Sequence, residues 1–231
     1  MGFKKTLTSL VLAGAMVLGV GGLANKAKAD LFYDNFESGN ANSWVNSVGD
    51  WKVVDDNGNR VYRQDMLDTG GSKWKSSTLD FCAENYKADI DVKFLTATSG
   101  SFAGTLMINK KTNGSFNINE SNIAVSLFPQ YSQFSLYVYE PEGMREYQYP
   151  VSVEMNKWYN LGVSVENGLA NGFLDGQKVI SDIPTSLDRG YVALNTDGIR
   201  ADFDNLRITP EPSTIGLLGL GSLALLRKRK K

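Results

Sequence analysis

In this 231-residue chain, Asp89-Ile90-Asp91 is a pair of carboxylates spaced for acid-base work. On a β-strand, alternate residues share a face with Cα atoms about 6.8 Å apart. That is near the roughly 6.5–9.5 Å between the carboxyls of an inverting glycoside hydrolase. Lys87 and Lys93 fall on the same face. Adjacent cations keep carboxylates ionised, whereas a general acid needs a raised pKa, so a solvated sheet face accounts for the pattern without catalysis. The chain has no histidine and one cysteine, Cys82. This excludes Ser-His-Asp and Cys-His triads, His-liganded zinc and an imidazole base. It also excludes an intrachain disulfide, and Cys82 beside Phe81 reads as a small buried hydrophobe.

Asp34 shares strand parity with Phe32 and Phe36, and Asp204 with Leu206 and Ile208. Each carboxylate is thereby assigned to an apolar face, where its charge needs compensation. Two roles are open: acceptors of backbone N–H bonds at strand ends or, with Glu37 and backbone carbonyls, oxygen ligands of a structural calcium. Asp55-Asp56-Asn57-Gly58-Asn59 lacks the glycine and terminal glutamate positions of an EF-hand loop and reads as a hairpin turn. A further constellation follows from the proline turn Glu140-Pro141-Glu142-Gly143. If Glu140 pairs with Gly143, Tyr139 lies opposite Met144, Tyr137 opposite Glu146 and Ser135 opposite Gln148. Phe134, Leu136, Val138, Tyr147 and Tyr149 then take the other face. Tyr137 and Tyr139 would offer rings to the C–H faces of a sugar, with Glu146 and Gln148 meeting its hydroxyls. A slip of one residue would exchange the faces.

The elements that position these residues are strands. Tyr86, Ala88, Ile90, Val92 and Phe94 alternate with Lys87, Asp89, Asp91 and Lys93, the pattern of a half-buried antiparallel strand. Phe102, Leu106 and Ile108, then Phe134, Leu136 and Val138, then Tyr159, Leu161, Val163 and Val165 repeat it. Asn57-Gly58, Asn113-Gly114, Asn167-Gly168 and Asp175-Gly176 supply the positive φ angles of type I′ hairpins. Trp51 and Trp158 fit core positions, while Trp44 and Trp74 are ambiguous, and Lys110-Lys111 reads as solvated charge. Residues 30–209 are long enough for one core, and the arrangement expected is all-β, two packed antiparallel sheets.

The two ends differ from this middle. Lys4 and Lys5, an apolar run from Leu7 to Leu23 and Ala27-Lys28-Ala29 make residues 1–29 a signal peptide, with signal peptidase cutting before Asp30. Residues 210–231 comprise Pro210-Glu211-Pro212, twelve apolar or small residues and a terminal Arg/Lys cluster. A helix of twelve residues spans about 18 Å, short of a hydrocarbon core of about 30 Å. Setting both ends aside leaves 15 Lys+Arg against 24 Asp+Glu, a net −9 for residues 30–209. Such a domain repels nucleic acid.

The tail resembles the PEP-CTERM sorting signal of Gram-negative bacteria. The resemblance implies a transient inner-membrane insertion, recognition at Pro210, Glu211 and Pro212 and cleavage by exosortase, on a protein of the surface or biofilm matrix associated with exopolysaccharide. In the middle, Trp158-Tyr159-Asn160-Leu161, Gly172-Phe173-Leu174-Asp175-Gly176 and Ala201-Asp202-Phe203-Asp204-Asn205-Leu206 are similar to the concanavalin A-like lectin/glucanase superfamily, including its laminin-G-like modules. This implies a jelly-roll sandwich. The Glu-x-Asp-x-x-Glu strand of the superfamily's laminarinase-type glucanases is absent. The expectation is therefore a non-catalytic carbohydrate-binding or matrix component. A polysaccharide hydrolase or lyase, and an adhesion module recognising protein, are the alternatives.

Overall fold

The computed structural model describes residues 30–67, 74–98, 102–112 and 120–210. The signal segment, the Asn113-Gly114 turn and the tail from Glu211 onward lie outside them. The described residues form fifteen strands and one 3-10 turn. The first four strands are β1 (Phe32–Asp34), β2 (Trp44–Val48), β3 (Trp51–Asp56) and β4 (Asn59–Gln64). They are followed by β5 (Lys75–Glu84), β6 (Tyr86–Ala97), β7 (Ala103–Lys110) and β8 (Asn122–Phe128). The turn Pro129–Tyr131 leads to β9 (Gln133–Glu140), β10 (Gly143–Pro150), β11 (Trp158–Glu166) and β12 (Leu169–Leu174). The chain closes with β13 (Gln177–Pro184), β14 (Arg189–Asp197) and β15 (Ile199–Pro210).

All pairings are antiparallel and sort into two sheets. One runs β13-β12-β11-β6-β15-β4-β3 with β1 on β15; the other runs β10-β9-β8-β7-β14-β5-β2. Hairpin chemistry sets the local connections. Asn57 and Gly58 have φ of 58° and 90°, Asn167 and Gly168 52° and 73°, Asp175 and Gly176 49° and 76°. Positive φ at both central residues matches the turn to the twist of the flanking strands.

Period-two alternation turns Ile90, Val92, Phe94, Leu161, Val163 and Phe203 of the first sheet toward Leu106, Ile108, Val125, Leu136, Val138 and Leu194 of the second, all at 0% exposure. At one end the core is aromatic, with Phe36 stacked on Tyr62 at 5.1 Å and Trp44 and Trp51 against the same ring. Three expected positions need correcting. Trp158 opens β11 on the outer face, 36% exposed, with the Lys93 ammonium 4.8 Å from its ring centre. Lys110 is fully buried: its Nζ donates to the Thr112 carbonyl and pairs with Glu120 at 3.3 Å. Cys82 is exposed, because a register irregularity in the β5–β14 ladder interrupts the alternation between Thr78 and Cys82. A maleimide is accordingly expected to label Cys82 stoichiometrically in the native protein, at the rate seen in denaturant. Labelling only after unfolding would contradict the exposed placement.

Candidate functional site

The β9–β10 hairpin has the register expected from its turn: Glu140 pairs with Gly143, Tyr139 with Met144, Tyr137 with Glu146 and Ser135 with Gln148. Phe134, Leu136 and Val138 enter the core, and Tyr137 and Tyr139 stand on the outer face of the second sheet. Tyr147 packs half-buried against the core, whereas Tyr149 at the sheet edge is largely exposed. The Tyr137 and Tyr139 rings stack at 5.9 Å with an interplanar angle of 25°. Beneath Tyr137 lies a patch of small and flexible side chains from the adjacent strands, Ala124, Met107 and Ala193.

Two further rings extend the row. Phe128, the last residue of β8, meets Tyr137 edge-on at 6.4 Å, and Tyr131 lies 6.1 Å beyond Phe128. Tyr131 is 60% exposed. The turn holding it is closed by Ser132, in the left-handed region at φ 50°, whose N–H donates to the Pro129 carbonyl. Sequence reasoning missed both residues, although the parity of β8 carried the signal. Phe128 belongs with Ala124 and Ser126, opposite the buried set Ile123, Val125 and Leu127.

Glu146 is the polar hub of this face. Its Oε1 accepts hydrogen bonds from Tyr137 Oη at 2.9 Å, Ser135 Oγ at 3.0 Å, and the amides of Gln133 and Gln148 at 3.1 Å each. The four residues inferred from sequence, Tyr137, Tyr139, Glu146 and Gln148, therefore converge on one face. Burial pushes both phenols above their ordinary pKa, so they remain protonated in neutral solution. Past Tyr139 the row ends in a hollow of about 410 Å³ lined by Glu120, Ser121, Tyr139, Glu140, Pro141, Gly143 and Met144. Both of its carboxylates are engaged. Glu120 pairs with Lys110. Glu140 accepts from the Ser186 N–H and hydroxyl, from Thr185 and from Arg145. Burial raises the Glu140 pKa, but these donors outweigh it and leave the group below the usual range.

The carboxylates proposed for calcium are arranged differently from the expectation. Asp34 does lie on the strand beside β15, opposite Leu206. Its Oδ1 accepts the Phe36 N–H at 2.9 Å and its Oδ2 the Trp44 indole N–H at 3.0 Å, which is the acceptor role. Asp204 is on the other face from Leu206. One extra residue in β15 between the pairs Asp204–Asp91 and Arg207–Asp89, with Asn205 at φ 53°, reverses the parity. Asp204 thus faces outward with Asp91 and Glu37 in a cleft of about 450 Å³, lined also by Asn35, Asn59, Asn205 and Trp158. Its oxygens accept from Asn59 at 2.9 Å and from the Asn205 N–H at 2.7 Å. The trio Asp34, Glu37 and Asp204 does not meet at one point. Among the described residues no cluster of three or more His, Cys, Asp or Glu side chains is placed to hold a metal ion.

The Asp89–Asp91 pair shares the outer face of the first sheet, but the two lysines do not act alike. Lys87 pairs with Asp89 at 2.6 Å, whereas Lys93 pairs with Asp56 and Asp202. Burial outweighs Lys87 and raises the Asp89 pKa. Asp91 accepts instead from the Asn160 and Asn205 amides at 2.8 and 3.0 Å.

Burial likewise raises the Asp204 pKa above 3.8, with Asp91 and Glu37 adding to the rise against the hydrogen bonds from Asn59 and Asn205. The folded state then holds this proton more tightly than the unfolded chain. Its contribution to stability is fully present below about pH 3.8 and is lost as pH rises through the folded-state pKa. Urea unfolding of wild type and Asp204→Asn from pH 3.5 upward should show the variant gaining relative to wild type across that window. A difference independent of pH would contradict the assignment.

The fold is a concanavalin A-like jelly-roll sandwich of two antiparallel sheets. Residues 142–211 match the family described as the galactocerebrosidase C-terminal lectin domain, and residues 209–230 match the PEP-CTERM protein-sorting motif. Similar solved structures include carbohydrate binding module CBM66 from Bacillus subtilis, at 16% identity and a TM-score of 0.57, covering 72% of this chain and 95% of that one. A protein of unknown function with a galectin-like fold, from the same species, has 8% identity and a TM-score of 0.61, covering 78% of this chain and 96% of that one. A Bacillus licheniformis β-glucanase has 11% identity and a TM-score of 0.57, covering 78% and 98%. No curated protein matches at a significant level. The described residues thus share the jelly-roll fold of these structures, and the last strand runs into a PEP-CTERM sorting motif.

Proposed function

We propose that this is an exported, exosortase-processed surface or matrix protein whose sandwich binds a neutral polysaccharide without cleaving it. The observation carrying the reading is the row Tyr131, Phe128, Tyr137 and Tyr139, with Glu146 as a hydroxyl acceptor beside it. Apolar ring faces are suited to the C–H faces of successive sugars. Glu146 already takes four donors on Oε1, an arrangement that orients hydroxyls and does not suit a proton donor.

Charge narrows the ligand. The domain carries a net −9 over residues 30–209, and the carboxylates of the hollow beside Tyr139, Glu120 and Glu140, already hold Lys110 and Arg145 in ion pairs. Uronate-rich or sulfated chains are therefore repelled. The lectin-domain profile and the carbohydrate-binding module support binding, while the β-glucanase keeps hydrolysis a measurable alternative.

Affinity electrophoresis through gels containing a neutral β-glucan or a polyuronate separates these readings. Retardation by the neutral polymer alone, unaffected by salt and without release of reducing ends, is expected. Retention by the polyuronate alone, or sugar release, would refute the proposal.

A further inference from the structure

The cleft of about 450 Å³ on the outer face of the first sheet lies on the side of the sandwich away from the tyrosine row. Asp91 and Asp204, which line it, are direct cross-strand partners on β6 and β15, and like charges placed opposite each other are destabilising. Glu37 adds a third, exposed carboxylate. Elsewhere the acids of this domain hold a base: Asp202 holds Arg63 and Lys93, Asp89 holds Lys87, Glu120 holds Lys110 and Glu140 holds Arg145. Among the described residues Glu37, Asp91 and Asp204 meet neutral donors only. These are the amides of Asn59, Asn160 and Asn205 and the main-chain N–H groups of Arg60 and Asn205. Two bases touch the lining but are engaged elsewhere. The Arg60 guanidinium donates to the Glu37 carbonyl, and the Lys93 ammonium pairs with Asp56 and Asp202.

The acids do not stand alone. Trp158 lines the same cleft with a 36% exposed indole, and the Lys93 ammonium 4.8 Å from its ring centre shows that this ring is placed for cation contact. A cavity of this size suits a small organic ligand, and the carboxylates do not converge on a metal ion. Acidic acceptors and amides beside an indole call for a ligand with a cationic nitrogen, hydroxyl groups and an apolar ring face. We propose that the cleft binds an amino sugar unit of a polysaccharide whose amines are unacetylated. The ammonium sits among Glu37, Asp91 and Asp204, the hydroxyls meet the Asn35 and Asn59 side chains, and the C–H face of the sugar lies on Trp158. A lysine side chain would satisfy the charge, but it has neither hydroxyls for the asparagines nor a ring face for the indole. The site is independent of the tyrosine row, and with both occupied one molecule bridges two polymers of different charge.

The test is a titration of the ¹⁵N-labelled protein with a glucosamine oligosaccharide, in mildly acidic, low-salt buffer that keeps the amines protonated. Saturable amide shifts around Asp91, Trp158 and Asp204 are expected, with affinity falling as added salt screens the charges. Asp91→Asn and Trp158→Ala should each lower the affinity about tenfold, with far-ultraviolet circular dichroism unchanged. The N-acetylated oligosaccharide has the same ring without the ammonium and should leave the cleft unshifted. Equal shifts with the acetylated sugar would show that charge is not recognised and overturn the proposal. Equal affinity for oligolysine, the same shifts with calcium alone, or undiminished binding by both variants would overturn it as well.

Discussion

Replacing Tyr137 and Tyr139 together by alanine is expected to weaken binding of a neutral polysaccharide by on the order of 10²-fold, with the far-ultraviolet circular dichroism unchanged. Binding energy concentrates in a few aromatic contacts, often 2 kcal/mol or more each, and about 1.4 kcal/mol is tenfold in affinity. The two rings occupy the middle and the inner end of the row, Tyr137 between Phe128 and Tyr139. Neither belongs to the main core, so their loss should leave the sandwich intact. Phenylalanine at both positions keeps the ring faces and should restore most of the binding. Undiminished binding by the alanine variant, measured by isothermal titration, would move the ligand off this face.

Asp202→Ala should lower the unfolding free energy by about 3 kcal/mol, read as a shift of the urea midpoint at unchanged slope. Asp202 is at 0% exposure, and its carboxylate holds the Arg63 guanidinium through two bonds of 2.6 and 3.0 Å, with Lys93 at 3.3 Å. Removing it leaves Arg63 without the acceptor that raises its pKa most. Lys93 keeps Asp56, which places the expected loss at the lower end of the range for broken buried pairs. A change below about 0.5 kcal/mol, the size typical of surface substitutions, would mean that the layer contributes little.

The alternation in β6 and the Asn-Gly and Asp-Gly turns made the sandwich legible in the sequence, since both depend on local chemistry. The β9–β10 face was legible for the same reason: a two-residue proline turn sets the register, and the register sets the faces. Asp204 shows where such reading stops. Its parity with Leu206 and Ile208 is correct on paper, but one extra residue at Asn205 turns it to the opposite face, and asparagine at a bulge carries no sequence mark separating it from asparagine in a strand. Lys93 was similarly assigned to its neighbours in sequence, although the ladder brings Asp202 and the β3–β4 hairpin brings Asp56 to it. Cys82, beside Phe81, and Trp158, by its context, read as interior residues, whereas an irregular ladder and a strand's first position put them outside.

The most direct test of the glycan reading is a titration of the ¹⁵N-labelled domain with a soluble neutral β-glucan, followed by amide chemical shifts. The account predicts that perturbations concentrate on residues 128–148, around Tyr131, Tyr137 and Glu146, and saturate with added ligand. Shifts confined to the opposite sheet around Asp91, Trp158 and Asp204, or none at saturating glycan, would contradict it.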